Sequence, residues 1–281
     1  MVLSGLQDQL APLQRWLWPR RVYLQIEDQA LTALVLEGEQ VAWQECVSLP
    51  AGLCVNGQPT AIEALGDFLG DLLVERGFPG ARIKAVLPRA ATAWRVVEWS
   101  EGAWPDDPQR LVHLQQDQLQ LPWSLQDADL WLEPLTAAQP RSLLVAVQRS
   151  VLEAWIAVCD FAGAALDGVE ALPICLWRAV APQLPLAEGV RVLLQLEADQ
   201  SWLWALDQGQ PLGEWPMPQA SQPEALSQAL AAWARHYRPG AAVVIGGEPA
   251  CAEALGCPVR AFQRPGASPA LWGLVEAEQR R

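Results

Sequence analysis

The residues able to do chemistry in this chain are few, and most are spaced wrongly for it. His113 and His236 are the whole supply of imidazole. A nucleophilic triad needs one of them poised between a Ser or Cys and an acid. Both fall in stretches patterned as helices, His236 near a helix end where a cation suits the dipole, so both read as structural or surface residues. The six cysteines, at 46, 54, 159, 175, 251 and 257, form no Cys-x-x-Cys pair. With two histidines to help, neither a zinc site nor a redox dithiol can be assembled at the usual ligand spacings. Reduced, buried thiols are the default, and they point to a cytosol. Asp106 with Asp107 and Asp127 with Asp129 are acidic pairs of the kind glycosidases use, but they sit in polar turns and read as solvated. What remains is a repeated pair, Gln25 with Glu27 and, 170 positions later, Gln195 with Glu197. A Gly246-Gly247 step follows an apolar run, where plain turn chemistry and a ligand loop are both open.

Whatever positions these residues has a real core. Of 281 residues 51% are apolar and 18% charged, which excludes a disordered chain, a collagen-like repeat and a coiled coil. Nineteen Lys and Arg against 32 Asp and Glu give a net charge of −13, which repels phosphate backbones and argues against a nucleic acid partner. Lys84 is the only lysine, and 15 Trp outnumber Phe and Tyr together. That bias reads as mostly genomic, though Trp is also favoured at interfaces. The opening MVLSGLQDQLAPLQRWLWPRR has no basic leader and no unbroken apolar stretch, so it is not expected to be a secretory signal. No run of about 20 apolar residues is present to span a membrane. Leu3, Leu6, Leu10, Leu13 and Leu17 do recur at helical spacing. Residues 1–20 are therefore an amphipathic segment, read either as an interfacial helix on lipid or as a cap packed on the domain.

From Val22 the pattern turns to strands: VYLQIED, ALTALVLEGEQ and VAWQECVSLP, with breaks that suit hairpins. A helix follows, with Thr60 and Glu63 as a capping box, Ile62, Leu65, Leu69 and Leu72 as its stripe and Gly77 as its stop. Ile83 to Leu87 is a buried strand ended by Pro88. The spacing predicts a helix in LVHLQQDQLQLP, a strand around Leu130 and another over Leu143 to Val147. The last leads into a helix with a Ser150/Glu153 box, an inner face of Leu152, Trp155, Ile156 and Cys159, and a stop at Gly163. A further helix is predicted over Leu172 to Ala181, and Pro182 and Pro185 mark a boundary. The opening order then returns: VRVLLQL, SWLWALDQGQ and PLGEWPM, a helix capped by Ser221 and Glu224 with Leu226, Leu230, Trp233 and Tyr237 on one face, and the strand AVVIGG. Leu24/Leu194, Leu36/Leu206 and Gln40/Gln210 share the offset of the Gln/Glu pairs. Two halves on one βββαβ plan are expected.

Two such halves with an insertion in the first describe the actin-like ATPase (ribonuclease H-like) architecture, an α/β fold. Here the chain resembles the PilM family of type IV pilus and competence machinery, small relatives of the division protein FtsA. The stretches that carry the resemblance are LVHLQQDQLQLPWSLQDADLWLEPL, with Pro122 and Trp123 in its turn, RSLLVAVQRSVLEAWIAVCDFAGAALDGVEALPICLWRAV, with Gly163 and Glu170 in matching places, VVIGGEPA and the closing ASPALWGLVEAEQRR. They are collinear over roughly residues 20–281. The implied domains are 21–83 with 168–187, an inserted 84–167, and 188–281.

The resemblance also implies where a nucleotide would sit. Each half of an actin-like ATPase offers an Asp-x-Gly hairpin, the Asp reaching the metal and the Gly letting backbone approach phosphate. Here Gln25 and Gln195 stand for the Asp, Glu27 and Glu197 for the Gly, and Thr32 for a family Lys; Gly246 and Gly247 alone survive. Gln brings no charge for Mg²⁺. A carboxylate about 4 Å from a phosphate oxygen costs about 4 kcal/mol at an effective dielectric near 20, roughly a thousandfold in affinity. The expectation is a pseudo-ATPase with no cofactor unless both Glu side chains swing out to water. ATP and Mg²⁺ belong to the alternative, a true actin-like ATPase. PilM proteins, the resemblance implies, lie in the cytoplasm against the inner membrane. There they hold the N-terminal tail of the single-span partner PilN, an extended and largely apolar peptide, in a groove between the first domain and its insertion. Trp94, Trp99, Trp104 and Trp123 of the insertion are the candidate anchors, each open to a core reading as well. A GspL-type secretion platform protein is the close rival; that type continues into a membrane span, which is not expected here.

Overall fold

The computed structural model describes residues 20–99, 107, 112, 119–135, 141–184, 189–208, 210–264, 266 and 268–279. The expected segment 1–20 apart from Arg20, most of the helix in LVHLQQDQLQLP, Trp104, His113, Asp106 and Pro185 lie outside the described residues.

The two Gln/Glu pairs close the central strands of two sheets built alike. In the first, β1 (Arg21–Ile26) runs antiparallel to β2 (Ala30–Glu37), which pairs with β3 (Gln40–Ser48). A two-stranded ribbon, β4 (Cys54–Val55) with β5 (Gln58–Pro59), leads to α1 (Ile62–Glu75) and then to β6 (Arg82–Leu87), parallel to β1. The second sheet repeats this with β11 (Val190–Gln195), β12 (Ser201–Asp207), β13 (Gln210–Met217), α4 (Pro223–Tyr237) and β14 (Pro239–Ile245). The strand orders, β10-β6-β1-β2-β3 and β13-β12-β11-β14-β15, differ only in the direction of reading, with β10 (Ala165–Ala171) and β15 (Val259–Ala261) as parallel edges. The repeat extends to single residues. Gln25 faces Thr32 as Gln195 faces Trp202, and each hairpin carries its irregularity at the same place, between Val35 and Leu36 and between Ala205 and Leu206.

Both faces of each central strand are buried, which is why VYLQI and VRVLLQ read as continuous apolar runs. Val22, Leu24 and Ile26 face α1 and α2 (Arg149–Phe161), while Val192 and Leu194 face α4. Tyr23 and Leu193 point the other way, into one shared core filled by α3 (Leu172–Val180) and α5 (Pro269–Gln279). These two helices cross so closely that a Cβ at Gly273 would run into the Cys175 carbonyl. A glycine there is a packing requirement.

Between β6 and α2 the chain makes a small sheet, β7 (Thr92–Glu98), β9 (Arg141–Gln148) and β8 (Ala128–Pro134), in the order β7-β9-β8. One face carries Leu144, Val97 and Trp99 over a local core that also buries Val112, Leu119 and Leu125, with Leu130 and Leu132 packed against it. On the other, Trp94, Val145 and Trp131 stand side by side across the three strands. The expected boundaries at 83/84 and 167/168 fall inside β6 and β10, and α2 belongs to the core of the first sheet through Val151, Trp155 and Val158.

Local signals fared differently. Gly77 (φ +82°) and Gly163 (φ +64°) end their helices as expected. None of the three capping boxes forms. Helix α1 starts from Ala61 because the Thr60 hydroxyl donates to the Gly52 carbonyl. Helix α2 grows directly out of β9 with Gln148 at its start, leaving Ser150 inside the first turn. Helix α4 starts from Gln222 with Pro223 at its first position, and the Ser221 hydroxyl donates to Gln219 Oε1 (3.2 Å). The stripe of α2 is also rotated. Ile156 is 43% exposed and Val151, Ala154 and Val158 line the buried face with Trp155 and Cys159. The six cysteines are free, but Cys46 and Cys251 are exposed, which corrects the expectation that all are buried.

Candidate functional site

The carboxyl ends of β1, β6, β11 and β14 meet at a cleft between the halves, the place where parallel strands of such sheets receive ligands. Gln25 and Gln195 close their strands there, both buried. Each turns its amide onto the carboxylate two residues on: Gln25 Nε2 donates to Glu27 Oε1 at 2.6 Å, and Gln195 Nε2 to Glu197 Oε1. Both glutamates are open to solvent but held back over the strand ends by these bonds. Glu197 takes up a proton more readily than an ordinary carboxylate. Loss of water raises it first, Arg89 pulls it down, and the Glu27 carboxylate opposite raises it again. Two carboxylates thus face one space. Thr32 stands half-buried beside Gln25 on β2. Gly246 has φ +80°, and a Cβ there would meet the Leu196 carbonyl, while one at Gly247 would meet the Leu196 side chain. The surviving Gly-Gly step therefore has a packing reason of its own, in which no ligand is needed.

No pattern in the sequence points to Arg89. It follows β6, in the 3-10 turn Arg89–Ala91, and crosses into the second half. Its Nη2 donates to Gln195 Oε1 (2.6 Å), it pairs with Glu214 on β13, and its guanidinium lies over Trp202 (4.6 Å to the ring centroid) and Trp204 (5.2 Å). Burial pushes the guanidinium down to about 9, against the pull of Glu197, which still leaves it charged at neutral pH. In the first half Gln25 Oε1 accepts from the Ser268 hydroxyl instead. Both amides are spent, one on a hydroxyl and one on a cation.

Trp94 joins the same cluster. Its ring stacks on Trp204 (5.1 Å between centroids, 24°) and its Nε1 donates to Glu214 Oε2 (2.9 Å). Trp99 donates to Ser142 Oγ (2.8 Å) within the local core. Both rings are interior, which removes them as partner anchors; Trp104 lies outside the described residues and Trp123 is half-buried beside the exposed Pro122. Among the described tryptophans the one open to solvent is Trp131, 60% exposed. Leu130 and Leu132 share one face of β8, so alternation alone sends Trp131 to the other.

Trp131 borders a groove of about 210 Å³ between the small sheet and the first sheet. Leu143 and Val145 form one wall, Val169 of edge strand β10 the other, and Ile174 and Leu274 the floor. Charged pairs ring it: Arg178 with Glu170 at 3.0 Å, Arg82 with Asp167, and Lys84 with Glu278. Glu278 also accepts from Tyr23 Oη (2.5 Å) and Arg21 Nη1 (2.6 Å). Burial raises that carboxyl, but the three donors together take it below the ordinary range. Among the described residues no three His, Cys, Asp or Glu side chains converge on a metal position, and no helix is long and apolar enough to cross a membrane.

No protein-family model and no curated protein sequence matches this chain. Solved structures do. A PilM-PilN type IV pilus biogenesis complex aligns with a TM-score of 0.69 at 16% identity, over 89% of this chain and 88% of that one. This chain has the actin-like ATPase fold. A Bacteroides thetaiotaomicron protein of that fold and unknown function aligns at TM-score 0.57, 8% identity and coverage of 92% and 95%. The cytoplasmic domain of EpsL, an inner membrane component of the Vibrio cholerae type II secretion system, aligns at 0.51 and 16% over the same shares. The actin-like fold explains why the Gln/Glu pairs, the Gly-Gly step and Arg89 all gather at the carboxyl ends of the central strands.

Proposed function

We propose that this protein is an actin-like scaffold of a type IV pilus inner-membrane assembly platform. It acts on the cytoplasmic face by holding the extended cytosolic tail of a PilN-like single-span partner. The observation that carries this reading is the groove beside Trp131. It is apolar on its walls and floor and bordered by two edge strands, β8 and β10, whose outer backbone groups can pair with an added strand. The solved PilM-PilN complex, similar to this chain over most of its length, makes a PilN-like tail the first candidate; the EpsL resemblance keeps a type II secretion platform as the second reading.

The same proposal has the cleft idle as an ATPase. At the strand positions that would hold Mg²⁺ stand the neutral amides of Gln25 and Gln195, and Glu27 and Glu197 present negative charge where phosphates would lie. Titration of a synthetic peptide copying the cytosolic tail of a PilN-like protein tests the first half. Saturable binding that Trp131→Ala weakens is expected; absence of binding removes the scaffold reading. Thermal melting with millimolar Mg-ATP tests the second half. No displacement of the midpoint is expected, and a clear dose-dependent rise would restore the ATPase alternative.

A further inference from the structure

We infer that Arg89 is an interdomain latch, built where a bridging ligand would lie in this architecture, and that it fixes the two halves and the small sheet in one arrangement. The inference goes beyond the scaffold reading and does not rest on it. The halves share one buried core, in which α3 and α5 interlock through the close approach of Gly273 to the Cys175 carbonyl with no room to slide, and Glu278 of α5 pairs with Arg21, Tyr23 and Lys84 of the first half. At the cleft the exposed carboxylates of Glu27 and Glu197 stand on opposite halves, and like charges there drive the halves apart. Arg89 supplies what closes this end. It leaves the first sheet immediately after β6 and spends its guanidinium on four groups of the second half, Gln195, Glu214, Trp202 and Trp204.

The planar fork suits that set. One edge reaches the amide, another the carboxylate, and the face covers the indoles, a combination that the point charge of a lysine cannot reproduce. The small sheet is caught by the same carboxylate, since Trp94 donates to Glu214 two residues into β7. Trp94, Val145 and Trp131 then form one row across that sheet, so the arrangement set in the cleft is carried to the groove.

Native cysteines make the test direct. Cys46 on β3 and Cys251 in the second half are both exposed, and with Cys257→Ser as background they can carry a pair of spin labels. Pulsed electron resonance on the full chain should give a narrow distance distribution. Arg89→Gln should widen it about twofold, with Glu214→Gln moving the same way and Arg89→Lys lying between, as the population spreads from one arrangement to several. Arg178→Gln, whose partner Glu170 lies in the same half, should leave it narrow. A narrow distribution in a folded Arg89→Gln, even with a lowered melting point, would overturn the latch and leave a merely stabilising arginine. If Arg89→Gln does not fold, Glu214→Gln and Trp202→Leu take its place, and narrow distributions in both overturn the inference equally.

Discussion

The cleft and the groove are both spaces between parts of one chain, and they have been treated in opposite ways. In the cleft the two amides bind neighbouring carboxylates, the cation comes from within, and two indoles cover it, with Arg89 Nε and Trp204 Nε1 left without a hydrogen-bond partner. In the groove the charges are paired off around the rim and the walls are left apolar and open, with a large ring standing in water. A site whose amides and cation are already engaged offers little to a ligand, whereas exposed apolar surface between edge strands still has burial to gain. A fold known for one site can in this way shift its chemistry to another, which is why the site and not the fold has to carry the functional argument.

Substitution on each side can break this contrast. The largest effect is expected in the cleft. Glu214→Leu leaves a buried guanidinium and the Trp94 indole without their shared acceptor and should cost about 3 kcal/mol in urea denaturation. The double change Arg89→Leu with Glu214→Leu should cost less than the single changes added together. An additive result would mean the pair is not coupled. In the groove Trp131→Ala should alter stability by no more than about 0.5 kcal/mol, because most of its ring is already wet, while weakening peptide binding about tenfold, or about 1.4 kcal/mol. Equal losses in both measurements would make Trp131 an ordinary packing residue.

The rim gives a pH test. Glu278 is depressed in the folded chain below the 4.5 of a free carboxyl, so its stabilisation is complete above that value and lost as pH falls through the folded one. Glu278→Gln should therefore be less stable by about 1 kcal/mol at neutral pH, with the gap to wild type closing below pH 4.5 in acid unfolding. A gap that persists unchanged into acid would deny the ion pairs their role. The smallest effect concerns thiols. Cys46 and Cys251 should react with an aromatic disulfide at once, and Cys54, Cys159 and Cys175 only on unfolding. Burial holds the thiols of Cys54 and Cys159 up at about 11 and about 12.

Much of the fold was legible because its signals are local and repeated. The strand patterns from Val22 and from Val190, the 170-position offset and the glycine stops are read from neighbours in sequence, and the paired registers bear them out. The Gln/Glu pairs were legible as a departure from a known pattern. Their bonding to each other was not, since alternation tells which face a side chain takes and not which group it meets. Arg89 was invisible for a plainer reason: its partners stand 106 and more positions away, and a lone arginine after a proline has no periodicity. Trp131 could have been found from the Leu-Trp-Leu alternation of β8, whereas Trp94 and Trp99 were drawn inward by acceptors, Glu214 and Ser142, that a count of tryptophans does not see. The capping boxes failed because each motif residue had a competing use or place: Thr60 a loop carbonyl, Ser221 a glutamine, Ser150 a strand running straight into its helix.

Lys84 has a practical bearing. It is the single lysine side chain of the sequence, and its ammonium sits at the edge of the groove against Glu278. Amine-directed acylation within the folded body is thereby confined to one address, so the rate at which that amine is modified becomes a built-in meter of occupancy, slowed by whatever comes to lie in the channel beside it.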